Sequence, residues 1–321
     1  MKRTLPALMI LSTLLGAEEK IVRPGVPAVQ VKMAQLKPAA TIKVGGSPDW
    51  MAITGDTVWI SNARLHKVQR IDPEKNAVAG ETGFDGAPCS GLVAAFGSLW
   101  VPVCRKDGGS LVRVDLQSGK ATASLPFAPG ESEGGITASG DSVWMVTDKN
   151  GTLLRIDPKT NRVQGTTITP AGSFNPLFAD GLIWVTGNAT NELTAADATT
   201  GKVVQRLSVG PKPRFLTAGA GSVWTLNQGD GSVTRVDTKA RKVTATIAAG
   251  VPGPGGEICF GSAAVWTTVF DIPLTRIDAT TNKVVRQWIG MGGDSARFGF
   301  GAIWLTDLRN GLLWRIPLEK L

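Results

Sequence analysis

The chain has 321 residues, 42% hydrophobic and 19% charged, with 3 cysteines, 1 histidine and no tyrosine. One histidine excludes zinc or haem sites built from several imidazoles, and no Cys-x-x-Cys-His run is present for attached haem. The formal charge of +8 would suit a polyanion, but Lys120, Arg162, Lys202, Lys242 and Lys283 recur at one fixed repeat position, where lysine on an outer strand blocks edge-to-edge pairing. Nucleic acid is therefore not expected as a partner.

Residues 1–17, MKRTLPALMILSTLLGA, place Lys2 and Arg3 before an apolar run that is too short to span a bilayer and ends in small residues. That layout predicts a secretory signal peptide, a periplasmic or secreted protein and no membrane span. Residues 18–39 carry Pro24, Pro27 and Pro38 without alternation and read as an extended leader, strapped over the body or disordered. On this reading residues 18–30 are dispensable.

From residue 40 onward one pattern repeats. A tryptophan preceded by Val, Leu or Ile stands at 59, 100, 144, 184, 224, 266 and 304, so the spacings are 41, 44, 40, 40, 42 and 38. Before each lies a tight-turn dipeptide such as Gly55-Asp56, Gly140-Asp141 or Asp180-Gly181, which suits a primed hairpin turn. After it comes a second turn opened by Asp72, Asp115, Asp157, Asp197, Asp237 or Asp278. Four positions on stands Asn76, Gly119, Asn161, Gly201, Arg241 or Asn282, the signature of a type I turn leading into a bulge. Arg241 breaks the rule and predicts a strained turn. A period near 40 with four strands per copy predicts an all-β fold, a seven-bladed β-propeller over residues 40–321. The seventh copy stops after three strands, and Ala40 to Gly45 resembles the fourth strand of the fifth copy, so the N-terminal segment is expected to complete the last blade and latch the ring.

Cys89 and Cys104 flank the hairpin turn at Phe96-Gly97 symmetrically, which in an exported protein favours a disulfide. A strict two-residue turn makes them a hydrogen-bonded pair, whose wider separation suits a bridge less well unless a bulge intervenes. Cys259 reads as a small buried hydrophobe. The repeated Arg70, Arg113, Arg155, Arg235, Arg276 and Arg315 are expected to make contacts between blades or to the recurring aspartates rather than to hold an anion.

The run Arg-Ile-Asp-Pro-x-Thr-Asn-x-Val after Trp-Val-Thr-like strands resembles the blade of YncE-like, or YVTN, β-propellers, and is similar to the streptogramin (virginiamycin B) lyase group. The resemblance covers about residues 40 to 318 and implies fold more than activity. It implies for a lyase a histidine acting with glutamate and magnesium, and His66, alone in a first-blade loop, does not reproduce that set. A Ser-His-Asp hydrolase would also need His66, and no Gly-x-Ser-x-Gly elbow is present. The segment Ala195 to Val204 resembles the repeat of quinone-holding dehydrogenases, but only over turn residues that any blade needs.

The residues preceding each innermost strand break the symmetry of the repeat. Trp50, Glu133, Asn175, Arg214, Glu257 and Arg297, with Asp49, Ser90 and Asp294 beside them, differ from copy to copy. They define a candidate ligand site at the channel mouth, for a small molecule or a protein partner, on a monomeric binding or scaffold module without assigned catalytic residues, metal or cofactor. The alternative is a lyase-like enzyme using Glu257 or Glu133 as base, and more remotely a quinone-dependent dehydrogenase.

Overall fold

The computed structural model describes residues 24–321; the expected signal peptide lies outside the described residues. Seven antiparallel sheets stand in sequence order around a central channel, each running from an inner to an outer strand. The third blade is representative: Ile136–Ala138, Val143–Val146, Thr152–Asp157 and Arg162–Ile168. Neighbouring inner strands pack side by side around the ring, and that of the seventh blade, Ala296–Gly299, returns to the first, Pro48–Ile53. The all-β, seven-bladed propeller expected from the repeat is therefore the fold.

The repeat residues explain the closure. All seven tryptophans are buried, at 0–1% exposure. Six send the indole N–H back to the residue five positions earlier, as from Trp224 to the Gly219 carbonyl at 3.1 Å. The repeated arginines lie over these rings, and all but Arg276 donate across to the next blade. Arg113 sits 4.5 Å from the Trp100 ring and donates to the Pro158 carbonyl and Asn161 Oδ1 at 2.6 and 2.7 Å. Arg235 does the same with Trp224, Ala279 and Asn282, and Arg315 with Trp304, Pro73 and Asn76, which joins the seventh blade to the first. Their partners are mostly turn carbonyls and asparagines rather than aspartates, because the aspartates are engaged within their own turns. Asp72 accepts the amides of Glu74 and Lys75, and Asp278 those of Thr280 and Thr281. The fourth blade has Ala195 where the arginine recurs, and there Asp180 accepts instead from Thr238 of the fifth. Arg241 takes φ +52°, the left-handed backbone its turn demands.

Ala40–Lys43 pairs antiparallel with Leu312–Pro317 as the outer strand of the seventh blade, with Ile42 opposite Leu313. Residues 24–39 do more than the leader reading implied. Gln30–Lys32 adds a parallel fifth strand outside Lys283–Ile289 of the sixth blade. The Val26 amide donates to Gln287 Oε1 at 2.6 Å, and Met33 is buried with Trp266 and Trp288. Residues 24–30 are thus tied to a blade, which corrects the expectation that removing residues 18–30 is harmless.

Cys89 and Cys104 form the expected disulfide, with Cα atoms 5.9 Å apart. Their register differs from the symmetric count. Ala87, not Cys89, lies opposite Cys104, because Cys89 to Leu92 interrupt the inner strand between Ala87–Pro88 and Val93–Ala95. This bulge supplies the relief that the strict count lacked. Cys259 is free and buried, and burial pushes its thiol up to about 12.

Candidate functional site

Irregularities at the start of the inner strands build the channel mouth. The register slips by one residue at Asp49-Trp50 in the first blade, at Phe174 in the fourth and at Arg214 in the fifth. A bulge leaves residues unpaired and re-aims their side chains, which is why these blades carry the large groups. Where the second and third blades have Gly91 and Gly135 in the same register, the missing side chains make room. A Cβ on Gly135 would lie 2.8 Å from Asn175 Oδ1, and one on Gly91 3.6 Å from the Trp50 ring.

The six residues predicted as one site divide into two tiers. Glu133 and Arg214 line a mouth cavity of about 480 Å³ together with Asp49, Glu131 and Asp294. Trp50, Asn175, Glu257 and Arg297 line a smaller cavity of about 210 Å³ further along the channel. Phe215 borders both and meets Trp50 edge-to-face, 5.5 Å between ring centroids.

In the upper tier, Arg214 lies over Phe174 and Phe215 at 5.3 and 5.8 Å and donates to the Glu131 carboxylate and the carbonyls of Ser132 and Glu133. The Glu133 amide donates to the Cys89 carbonyl at 2.8 Å, so the bridged bulge of the second blade holds the left-handed turn, φ +66°, that presents Glu133. Burial first, and then the charge of Asp294, push the Glu133 carboxyl up to about 7, with Arg214 pulling the other way. Burial likewise pushes Asp294 up to about 6, and holds Asp49, which also faces Glu133 and Asp294, well above the usual carboxylate range. In the lower tier Glu257, 4% exposed, is ion-paired with Arg297 and accepts from the Ser295 hydroxyl. Burial disfavours the Arg297 cation, but Glu257 outweighs it and holds the guanidinium above its ordinary value.

These shifts set the pH dependence of stability. Glu133 and Asp294 bind protons more tightly folded than unfolded, so their contribution is present in acid and is lost as pH rises through about 6 to 7. The turn aspartates have the opposite sign. Amides of their own turns, Lys75 for Asp72 and Thr281 for Asp278, hold their carboxyls below 3.8, so their stability is lost only as pH falls below that range. The thermal midpoint is expected to peak between about pH 4 and 6 and to fall towards pH 8. Asp294→Asn should flatten the fall, as thermal melts at half-unit pH steps will read; an unchanged slope would place the cause elsewhere.

Ser90, a further mouth candidate, is buried and donates to the Glu131 carbonyl at 3.4 Å. His66 lies apart from both tiers, exposed in a first-blade turn at φ +51°. Among the described residues, no three of His, Cys, Asp and Glu are placed to hold a metal ion. Sequence reading missed Phe174, Phe215 and Glu131, and the pairing of Glu257 with Arg297. Counting back from each blade tryptophan would have found the phenylalanines. Ten positions back stand Asp49, Phe174, Arg214 and Asp294, and nine back stand Trp50, Asn175, Phe215 and Glu257.

The fold and this two-tiered mouth define a β-propeller with a polar, asymmetric channel entrance. The chain belongs to the glutamine cyclotransferase family, whose model matches residues 56–251, more than half of its length. The solved structure of a streptogramin B lyase is similar in fold, with a TM-score of 0.67 at 15% sequence identity over 85% of this chain and 93% of that one. The likeness to the lyase propellers thus holds for architecture. No curated protein matches the sequence. No helix among the described residues is long and apolar enough to cross a membrane.

Proposed function

We propose that the protein is an exported binding module whose channel mouth takes a small ligand or peptide end carrying a protonated amine. The observation that carries this is the crowding of Asp49, Glu133 and Asp294 at one cavity, where each carboxyl is raised first by burial and then by the charge of neighbouring carboxylates. An organic cation entering there relieves that repulsion, and Phe215, on the same wall, offers an aromatic face. Export is supported by the Cys89–Cys104 bridge, since such bonds persist in oxidising compartments.

Calorimetry with short peptides tests the reading. A free amino terminus is expected to bind at least about tenfold more tightly than its acetylated counterpart. The difference should grow from pH 5 to pH 7, where the amino terminus stays protonated while Asp294 and Glu133 ionise, and shrink in Glu133→Gln. Equal binding of the two peptides would sink it. The family's name suggests a second reading, cyclisation of an amino-terminal glutamine, in which Glu133, with its carboxyl near 7, takes the proton from the attacking amine. Ammonia release from a glutaminyl peptide, lost in Glu133→Gln, would establish it.

A further inference from the structure

The strap between Gln30–Lys32 and Ala40–Lys43 leads from the outer edge of the sixth blade to that of the seventh. Between the strap and the two blades lies a cavity of about 590 Å³. Met33, Leu36 and Pro38 line it from the strap, and Ile289, Met291 and Trp314 from the blades. Met291 is 63% exposed and the Trp314 ring only partly covered. The repeat shows that this wall is particular to one place. The residue before the repeated arginine, or before Ala195 in the fourth blade, is Gln69, Val112, Leu154, Thr194, Thr234 or Thr275 in the other copies, and an aromatic only at Trp314. The indole rests against a bare turn, since a Cβ on Gly292 would lie 2.3 Å from Trp314 Cη2. Apolar side chains left open around one hollow, rather than scattered singly, mark a binding surface.

The wall selects the kind of occupant. Its volume falls within the range of small-molecule sites, and water there would find few polar side chains to bond, so an apolar body fills it at less cost. Methionine adapts to guests of irregular shape, which suits a flexible chain. The charge is one-sided. Among the described residues Lys32 is the one charged side chain on the wall, and no carboxylate lines it. Lys32 is exposed, so its stem lies along apolar surface while the ammonium stays in water. A cationic guest would be repelled there, whereas an anionic head finds its counterion.

We infer that this hollow is a binding site for a fatty acid, whose alkyl chain lies against Met33, Leu36, Met291 and Trp314 while its carboxylate meets the Lys32 ammonium. The site lies at the outer rim, under the strap, and shares no lining residue with either cavity of the channel. It stands independently of the amine reading at the mouth.

Calorimetry with decanoate, kept below its micellar range, is the test. Saturable binding is expected, with affinity rising about fourfold for each methylene added from hexanoate to decanoate, as burial of one more methylene predicts. Decyltrimethylammonium, with the same chain and the opposite charge, should bind at least about tenfold more weakly. Met291→Glu and Lys32→Glu alter exposed side chains, so both should fold with an unchanged thermal midpoint, and each should weaken decanoate by about tenfold. Lys32→Gln, which removes the charge without reversing it, should cost about threefold. In the ¹⁵N-labelled protein the Trp314 indole signal, identified by its loss in Trp314→Phe, should shift along the same titration. Glu133→Gln should leave decanoate binding unchanged while reducing free-amine peptide binding, so failure here is distinguished from failure at the mouth. Equal binding of the cationic chain, affinity indifferent to chain length, or binding untouched by both glutamate variants would overturn the inference. So would sedimentation as a dimer that Met291→Glu dissociates, since a second copy would then cover the hollow.

Discussion

Deleting residues 40–45 is expected to lower the thermal midpoint by 10 °C or more, or to prevent folding. The segment contributes the outer strand of the seventh blade along Arg315 to Leu312, and the Val44 and Gly45 amides extend the pairing to the Gly311 carbonyl. Ile42 and Val44 are 5% and 4% exposed, and burying two such side chains stabilises by about 3–6 kcal/mol in all. The deletion also removes up to about 20 Å of extended chain, so the strand at Gln30–Lys32 would no longer reach the sixth blade from the start of the first. For a domain of this size about 2–4 °C accompanies each kcal/mol. A permuted chain separates the contributions. Residues 39–45 placed after Leu321 through a short glycine-rich turn would follow Leu312–Pro317 as an ordinary hairpin, because Ala40 pairs with Arg315 at that end. This permutant should recover most of the stability belonging to the blade. If the deletion melts within 2 °C of the intact chain, the ring is not latched by this strand.

The ring was legible because its signals are local. Trp59 and its six counterparts, and turns such as Asp157 to Asn161, report on backbone within a few residues of themselves, so one copy confirms the next. The strap at Gln30–Lys32 was not legible for the opposite reason. Three residues show no alternation, and their partners at Gln287 to Ile289 lie more than 250 positions away. At the mouth the sequence marked the asymmetric positions but not their depth. A one-residue bulge separates Arg214, at the entrance, from Phe215, which faces both cavities, and no local pattern records such a slip. The partners of the repeated arginines were half legible: their reach across blades followed from a constant place on the third strand. That they meet the next turn's carbonyls follows from each aspartate being consumed by its own amides, as Asp115 is by Ser118.

Replacing Arg297 by alanine is expected to cost about 3–5 kcal/mol, because it leaves the Glu257 carboxylate buried without its counterion. The Ser295 hydroxyl remains as a donor, but one neutral hydrogen bond does not replace a guanidinium. The loss should be greater at pH 7 to 8 than near pH 4, because Arg297 is also the nearby cation that favours the ionised form of Asp49. Pairing Arg297→Met with Glu257→Gln removes both charges and keeps the volume, so the double variant should be markedly more stable than Arg297→Ala alone. Chemical denaturation at pH 4.5 and 7.5 decides between the alternatives. A cost independent of pH, or no rescue by the Glu257 change, would mean that Arg297 acts through packing alone. The predicted rescue instead assigns the lower tier its electrostatic state, a closed ion pair with no charge to spare for whatever enters the channel.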